Sequence, residues 1–351
     1  MNHYCTYFDG GFLARGLVLW QSLRQHDPAA VLWVLALDEV AAAALRARAE
    51  PDLRVVALAE LEAGDDGLAA AKANRSRVEY YFTLSPCWPR WLLRSQPRIE
   101  CLVYLDADLM FFASPRPVWD ELARGSVLLC AHRFPAWLRQ LERHGRYNVG
   151  VLGWRRDGAG LACLDWWRER CLEWCHDRLE PDRYADQKYL EAWPRLFAGV
   201  VECSHPGINL GPWNWLNHPL TIGPAGVQVD GRELVVFHFA SLRRLGGRWW
   251  DSGQLEYGVM PGPVRQEIYG PYLDRLAGME TELARGPSGP ALARPIAGRR
   301  HWRRWLQLCF FGAVWFRTTG GMLWSPALPG VGPRAGRWLA RLRGEGKNAA
   351  A

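Results

Sequence analysis

Three apolar runs separated by two amphipathic ones open this chain, and that order leaves few ways to fold it. His3 to Phe8 alternates as a strand does, and Asp9-Gly10-Gly11 breaks it. Leu13, Gly16, Leu17, Trp20 and Leu23 then share one helical face until Asp27-Pro28 stops the helix. Val31 to Leu37 is a second strand. Asp38 is placed to cap an Ala-rich helix from about Glu39, and Leu53 to Leu58 is a third strand. Strand, helix, strand, helix, strand implies right-handed crossovers and therefore parallel pairing. The expected fold class is α/β, with a mostly parallel central sheet flanked by helices. No internal repeat, no GxGxxG and no Walker A sequence interrupts that reading.

A fourth apolar run, Cys101 to Leu105, leads directly into Asp106-Ala107-Asp108. Ligands of parallel sheets bind beyond the carboxyl ends of the strands, so both carboxylates are expected at a site-building rim. Carboxylates one residue apart can share a divalent cation, and hard oxygen donors favour Mg²⁺ or Mn²⁺ over zinc. Asp is also a turn residue, so the triplet by itself is equally compatible with turn chemistry. Between the third and fourth strands a long helix is expected from Ser76 to Ser95, punctuated by Pro86 and Pro89. Later come a strand at Tyr147–Gly153, a Trp-rich helix from Gly158 to Cys175, a helix opened by Asp186-Gln187, and a strand that ends at His238.

The order of these motifs resembles that of GT-A glycosyltransferases, and within them the family-8-type retaining enzymes such as glycogenin and bacterial lipopolysaccharide galactosyltransferases. The likeness is carried by Thr6-Tyr7-Phe8-Asp9, Arg15-Gly16-Leu17, Gln21-Ser22-Leu23, the helix Glu79 to Pro86, Val103 to Asp108, Asn148-Val149-Gly150-Val151, Asp186-Gln187 and His238. It spans about residues 3–240. The resemblance implies a GT-A, Rossmann-like fold. It also implies an enzyme that moves a sugar from a nucleotide-diphosphate donor, expected to be a UDP-sugar, to a glycan or lipid-linked acceptor. Asp106, Asp108 and His238 would ligate Mn²⁺ or Mg²⁺, with Ala107 between the carboxylates against the donor. Thr6, Tyr7, Asp9, Arg15 and Arg77 would line the nucleotide side. Asn148, Asp186 and Gln187 would surround the transferred sugar. One departure stands out: where many family-8 members place an Arg, Tyr81-Phe82-Thr83-Leu84 has none. Lys72, Arg75, Arg77, Arg243 and Arg244 are the alternative diphosphate clamps. Pro206 to Trp215 resembles an Asn…Pro-Trp-Asn segment of related bacterial enzymes, where an acceptor-sugar contact is expected.

Charge divides the chain. From Arg285 onward twelve Lys or Arg stand against one acid, Glu345, although the whole chain carries only +7, so the preceding body is mildly acidic. Residues 1–285 are expected to form the catalytic domain, with a nucleotide-binding half at 1–110 and a donor-sugar and acceptor half at 111–285. Residues 286–351 form a basic extension. There Arg299-Arg300-His301-Trp302-Arg303-Arg304-Trp305 suits an anionic membrane surface, with nucleic acid the weaker alternative. Nine cysteines without regular spacing do not suggest a disulfide framework. Together with the absence of a secretory pattern they predict a cytoplasmic protein, peripheral at the inner face of the membrane. Two competing readings remain. A haloacid-dehalogenase-like phosphatase would also use Asp-x-Asp, but with Ser or Thr where Met110 stands and on its first strand. A non-catalytic nucleotide- or sugar-binding scaffold is the other.

Overall fold

The computed structural model describes residues 1–285 except 225, 247 and 248, together with the backbone of 314–317 and 323–324. The basic stretch 299–305 lies outside the described residues. No helix among the described residues is long and apolar enough to cross a membrane.

A seven-stranded mixed sheet forms the centre. Its strands are β1 (Asn2–Phe8), β2 (Ala30–Ala36), β3 (Leu53–Ala57), β4 (Cys101–Leu105), β6 (Val127–Ala131), β7 (Tyr147–Arg155) and β8 (Val200–Glu202), in the order β3-β2-β1-β4-β7-β6-β8. The first four are parallel, as the opening alternation requires. Of the seven only β7 runs against the others, pairing antiparallel with both β4 and β6. Helices α1 (Leu13–His26) and α2 (Glu39–Ala47) follow β1 and β2. Short helices α3 (Leu58–Ala63) and α4 (Asp66–Ala73) lead into α5 (Arg77–Ser95). Farther on come α6 (Arg116–Leu122) and α7 (Gly158–Glu173), which packs beside α5.

The period of two along each strand decides which helix a side chain meets. Tyr4 and Phe8 enter the core under α1, whereas Cys5 and Tyr7 belong to the core under α5 and α7. In β4, Val103 and Leu105 face the first core, and Leu102 and Tyr104 the second. Gly16 is what lets α1 sit down on β1. A Cβ there would stand 2.2–2.7 Å from the Phe8 ring. The long helix α5 starts on a capping box, with Ser76 Oγ accepting from the Glu79 amide and the Glu79 carboxylate accepting from that of Ser76. It then runs unbroken through Pro86 and Pro89, because neighbours on both sides bury it; the expected punctuation is absent.

A second, three-stranded sheet sits beside the first and is the part that matters for the site. It contains β5 (Leu109–Phe111), β9 (Ile208–Leu210) and β13 (Val236–His238), with β13 in the middle. Between β9 and β13 lie the antiparallel strands β10 (Leu220–Gly223), β11 (Gly226–Val229) and β12 (Arg232–Glu233). Strands β14 (Arg243–Gly246) and β15 (Trp249–Asp251) follow β13, and β15 pairs with 314–317. The helix Gly270–Arg285 packs back on α1.

Candidate metal and donor site

β4 ends at Leu105 and β5 begins at Leu109, so Asp106, Ala107 and Asp108 make the turn between the two sheets. β5 pairs antiparallel with β13, and the register sets His238 directly opposite Leu109. The Phe239 amide donates to the Asp108 carbonyl at 2.9 Å. Two segments 130 residues apart in sequence are thereby locked side by side. His238 Nε2 lies 3.0 Å from Asp108 Oδ1 and 3.6 Å from Asp106 Oδ2. One donor atom from each residue falls within 4.8 Å of the others, and this is the group of that kind found among the described residues.

The imidazole is nearly buried and the carboxylates are 15% and 30% exposed, so one side stays open to a ligand. Burial opposes charge on His238, but Asp108 and then Asp106 outweigh it and raise its pKa. Burial raises the Asp106 pKa, with the Asp108 charge adding to it. Two acids and an imidazole gathered so closely are a donor set that fits Mn²⁺ or Mg²⁺. Imidazole in the set leans toward Mn²⁺. His238 Nδ1 faces away from the carboxylates and has no hydrogen-bond partner among the described residues. Gly150 in β7 makes room for it, since a Cβ there would be 2.6 Å from both His238 Nδ1 and Asn148 Oδ1.

The remaining residues expected at the site fall into distinct groups. Arg15, in the first turn of α1, joins the triad. Its Nη2 donates to the Leu242 carbonyl at 2.7 Å, and its Nη1 is 3.9 Å from Asp108 Oδ2. Three of the cations offered as diphosphate clamps are engaged elsewhere. Lys72 pairs with Glu62 at 2.8 Å, Arg75 donates to Thr83 Oγ1 and the Leu172 carbonyl, and Arg244 pairs with Glu280. Arg77 sits over the Tyr81 ring at 5.9 Å, and the Tyr81 hydroxyl donates to Asp9 Oδ2 at 3.4 Å. Asp9 also accepts from the Gly11 amide. Arg77, Tyr81 and Asp9 therefore form one corner, and Tyr81 is a member of it that the motif reading passed over. Thr6 is fully buried on the α1 side, whereas Tyr7 points the other way, its hydroxyl 2.9 Å from Ser85 Oγ.

Asp186 is buried beside Ser85, with Asp106 close enough to repel it. Burial above all, and that repulsion, push its pKa up to about 7. Its backbone is pinned by Trp167, whose indole N–H donates to the Asp186 carbonyl at 2.9 Å. Trp167 in turn packs edge-on against Trp193. The helix expected from Asp186-Gln187 begins as a 3₁₀ turn, Lys188–Ala192, and continues as one α-helical turn, Trp193–Leu196; Ala185 before it has a φ of +46°. Gln187 donates to the His144 carbonyl at 3.1 Å and packs on Gly145, tying this turn to the segment before β7.

Asn148 uses both acceptor positions of its oxygen and one of its two amide protons. Its Oδ1 accepts from the Gly150 amide and Asn209 Nδ2, each at 2.9 Å, and its Nδ2 faces His132 Nε2 at 3.2 Å. Burial lowers the His132 pKa to about 4, so its neutral ring can accept there. Trp213 and Trp215, offered as acceptor platforms, are instead buried: Trp213 lies edge-on to His238 at 5.1 Å, and Trp215 lies against Tyr269.

Taken together, the fold and site define an α/β protein with a carboxylate–imidazole group that could hold a metal ion, placed where its two sheets meet. No family model matches the chain. The uncharacterized protein YfnF of Bacillus subtilis (strain 168) is 32% identical over 249 residues, covering 68% of this chain and 81% of YfnF. YfnD of the same strain, also uncharacterized, is 30% identical over 241 residues, covering 68% and 77%. The chain belongs to the family of these two proteins. It is also similar to the solved galactosyltransferase LgtC in complex with donor and acceptor sugar analogues. That likeness is at 16% identity and a TM-score of 0.49, over 86% of this chain and 99% of that one.

Proposed function

We propose that this chain is a divalent-cation-dependent glycosyltransferase of GT-A type that uses a nucleotide-diphosphate sugar, with UDP as the nucleotide and retention at the transferred carbon. The observation that carries the reading is the meeting of Asp106, Asp108 and His238 at the carboxyl end of β4, in the motif order of family-8-type enzymes. Glycosyl transfer needs a diphosphate to leave, and negative charge grows on it as the bond to the sugar breaks. Mn²⁺ or Mg²⁺ held by the three residues would supply the positive charge that stabilises it. Arg15 Nη1 lies 3.9 Å from Asp108 Oδ2, and Arg15 takes the role of diphosphate clamp that the helix α5 segment lacks.

The corner formed by Asp9, Tyr81 and Arg77 is assigned to the nucleotide, the carboxylate accepting an N–H of the base. Asp186 and Gln187 are assigned to the donor sugar. Asn148 is assigned to the same side: Gly150 and Asn209 hold its oxygen, and its Nδ2 keeps one N–H beyond the contact to His132. Residues 1–285 would be the catalytic unit. The basic extension would hold it against an anionic membrane, where a glycan or lipid-linked acceptor is presented. The phosphatase reading is less well supported, since the Asp-x-Asp turn follows the fourth strand and both carboxylates face His238.

Release of nucleoside diphosphate from a panel of nucleotide sugars, with and without Mn²⁺, tests the proposal. Cation-dependent release from one of them, with p-nitrophenyl phosphate left intact, is the expected result. Phosphate release from p-nitrophenyl phosphate with no turnover of any nucleotide sugar would refute it.

A further inference from the structure

Two residues before Asp106, near the end of β4, stands Tyr104. Its hydroxyl donates to Asp106 Oδ1 at 2.8 Å. The other oxygen, Oδ2, is the one that faces His238. Tyr104 thus occupies one oxygen of the carboxylate and leaves the second for the cation. The terminal torsion of an aspartate is a broad well, so without a partner for Oδ1 the group would be free to swing.

Tyr104 is itself held. Its ring is 2% exposed and lies 5.8 Å from that of Tyr7. Tyr7 in turn is tied to α5, its hydroxyl 2.9 Å from Ser85 Oγ. The Tyr104 hydroxyl has a single proton and gives it to Asp106 Oδ1. The bond forms on the buried α5 side of the sheet, where water does not compete for it.

We propose that Tyr104 is a positioning residue for the cation: its hydroxyl fixes the rotation of the Asp106 carboxylate, and the packing of its ring beside Tyr7 keeps it in place. The inference rests on the cation reading given above. Groups that orient metal ligands typically account for about 10–100-fold in affinity, which sets the expected size of the effect.

The test is Mn²⁺ binding to the full chain, followed by the electron paramagnetic resonance signal of free Mn²⁺. The wild type should bind one ion, and a D106N/D108N variant should bind none. Y104F should bind about 10-fold more weakly, with the unfolding temperature of the metal-free protein nearly unchanged. If the wild type binds no Mn²⁺, or the D106N/D108N variant binds it equally, the cation reading itself fails. If those two behave as expected and Y104F binds like the wild type, the positioning role is overturned while the cation site stands. Should Y104F not fold, Tyr104→Met decides, and wild-type Mn²⁺ affinity in that variant overturns the positioning role.

Discussion

Replacing Gly150 by alanine tests the site through a residue that carries no functional group. Gly150 lies within β7; its carbonyl accepts from the Asp106 amide at 3.0 Å and its amide donates to Asn148 at 2.9 Å. An added Cβ would stand 2.6 Å from His238 Nδ1 and 2.8 Å from its Cε1, where ordinary contact begins at 3.4 Å. The ring, or the strand, must therefore give by about 0.8 Å. Trp213 packs edge-on against the imidazole, and only 6% of the His238 side chain is exposed, so little free space is available. Overpacking of this kind costs about 1–3 kcal/mol. Metal sites hold their ligands to about 0.2 Å, so a displacement several times larger should weaken Mn²⁺ by about 10-fold or more. Calorimetric unfolding of the metal-free variant gives the first number, and Mn²⁺ titration gives the second. A G150A variant that binds Mn²⁺ like the wild type would refute the assignment of His238 as a ligand.

Mn²⁺ at 100 times its dissociation constant should stabilise the wild type by about 2.7 kcal/mol, and a D106N or D108N variant should lose that gain in a thermal scan. Asp186 has its pKa raised from 3.8 to about 7 by burial. The folded state thus holds a proton that the unfolded state has released, and stability should fall as pH rises through that window. Denaturant unfolding without divalent cations should show wild type losing about 2–3 kcal/mol relative to Asp186→Asn between pH 5 and pH 7.5, and a constant difference would contradict the burial. Arg15→Ala should weaken binding of a diphosphate lacking a base more than Arg77→Ala does, because Arg15 lies at the triad and Arg77 at the Tyr81–Asp9 corner; equal weakening in a titration would contradict this. Exchanging Arg299, Arg300, Arg303 and Arg304 for Gln should abolish sedimentation with anionic vesicles, while unchanged sedimentation would remove the membrane role from the extension.

Much of the frame was legible in the sequence because it is local. The β1-α1-β2-α2-β3 order follows from periodicity, and the Asp38 cap is where it was expected, accepting from the Ala41 amide at 2.8 Å. What periodicity cannot express is which strands meet. The reversed direction of β7 and the pairing of β13 with β5 depend on contacts between distant segments, and the latter is what brings His238 to Asp108. The motif order anticipated that meeting and the register explains it. The segment at Pro206–Trp215 misled because Trp and Asn suit sugars and cores equally; here Asn214 donates to the His132 carbonyl and holds the core together. Tyr104 and Ser85 were passed over although the spacing carried a hint. A tyrosine two residues before an aspartate at a strand end lies on the same face as that aspartate. Ser85 could not be found that way, since only tertiary packing sets α5 against β1.

The account turns on one cation held between the two sheets. A crystal of the full chain grown with MnCl₂ and a nucleoside diphosphate, measured at the manganese edge, addresses it directly. One anomalous peak in contact with Asp106, Asp108 and His238, and touching the diphosphate, is the predicted result. A well-ordered diphosphate elsewhere, with no peak between these three side chains, would contradict it.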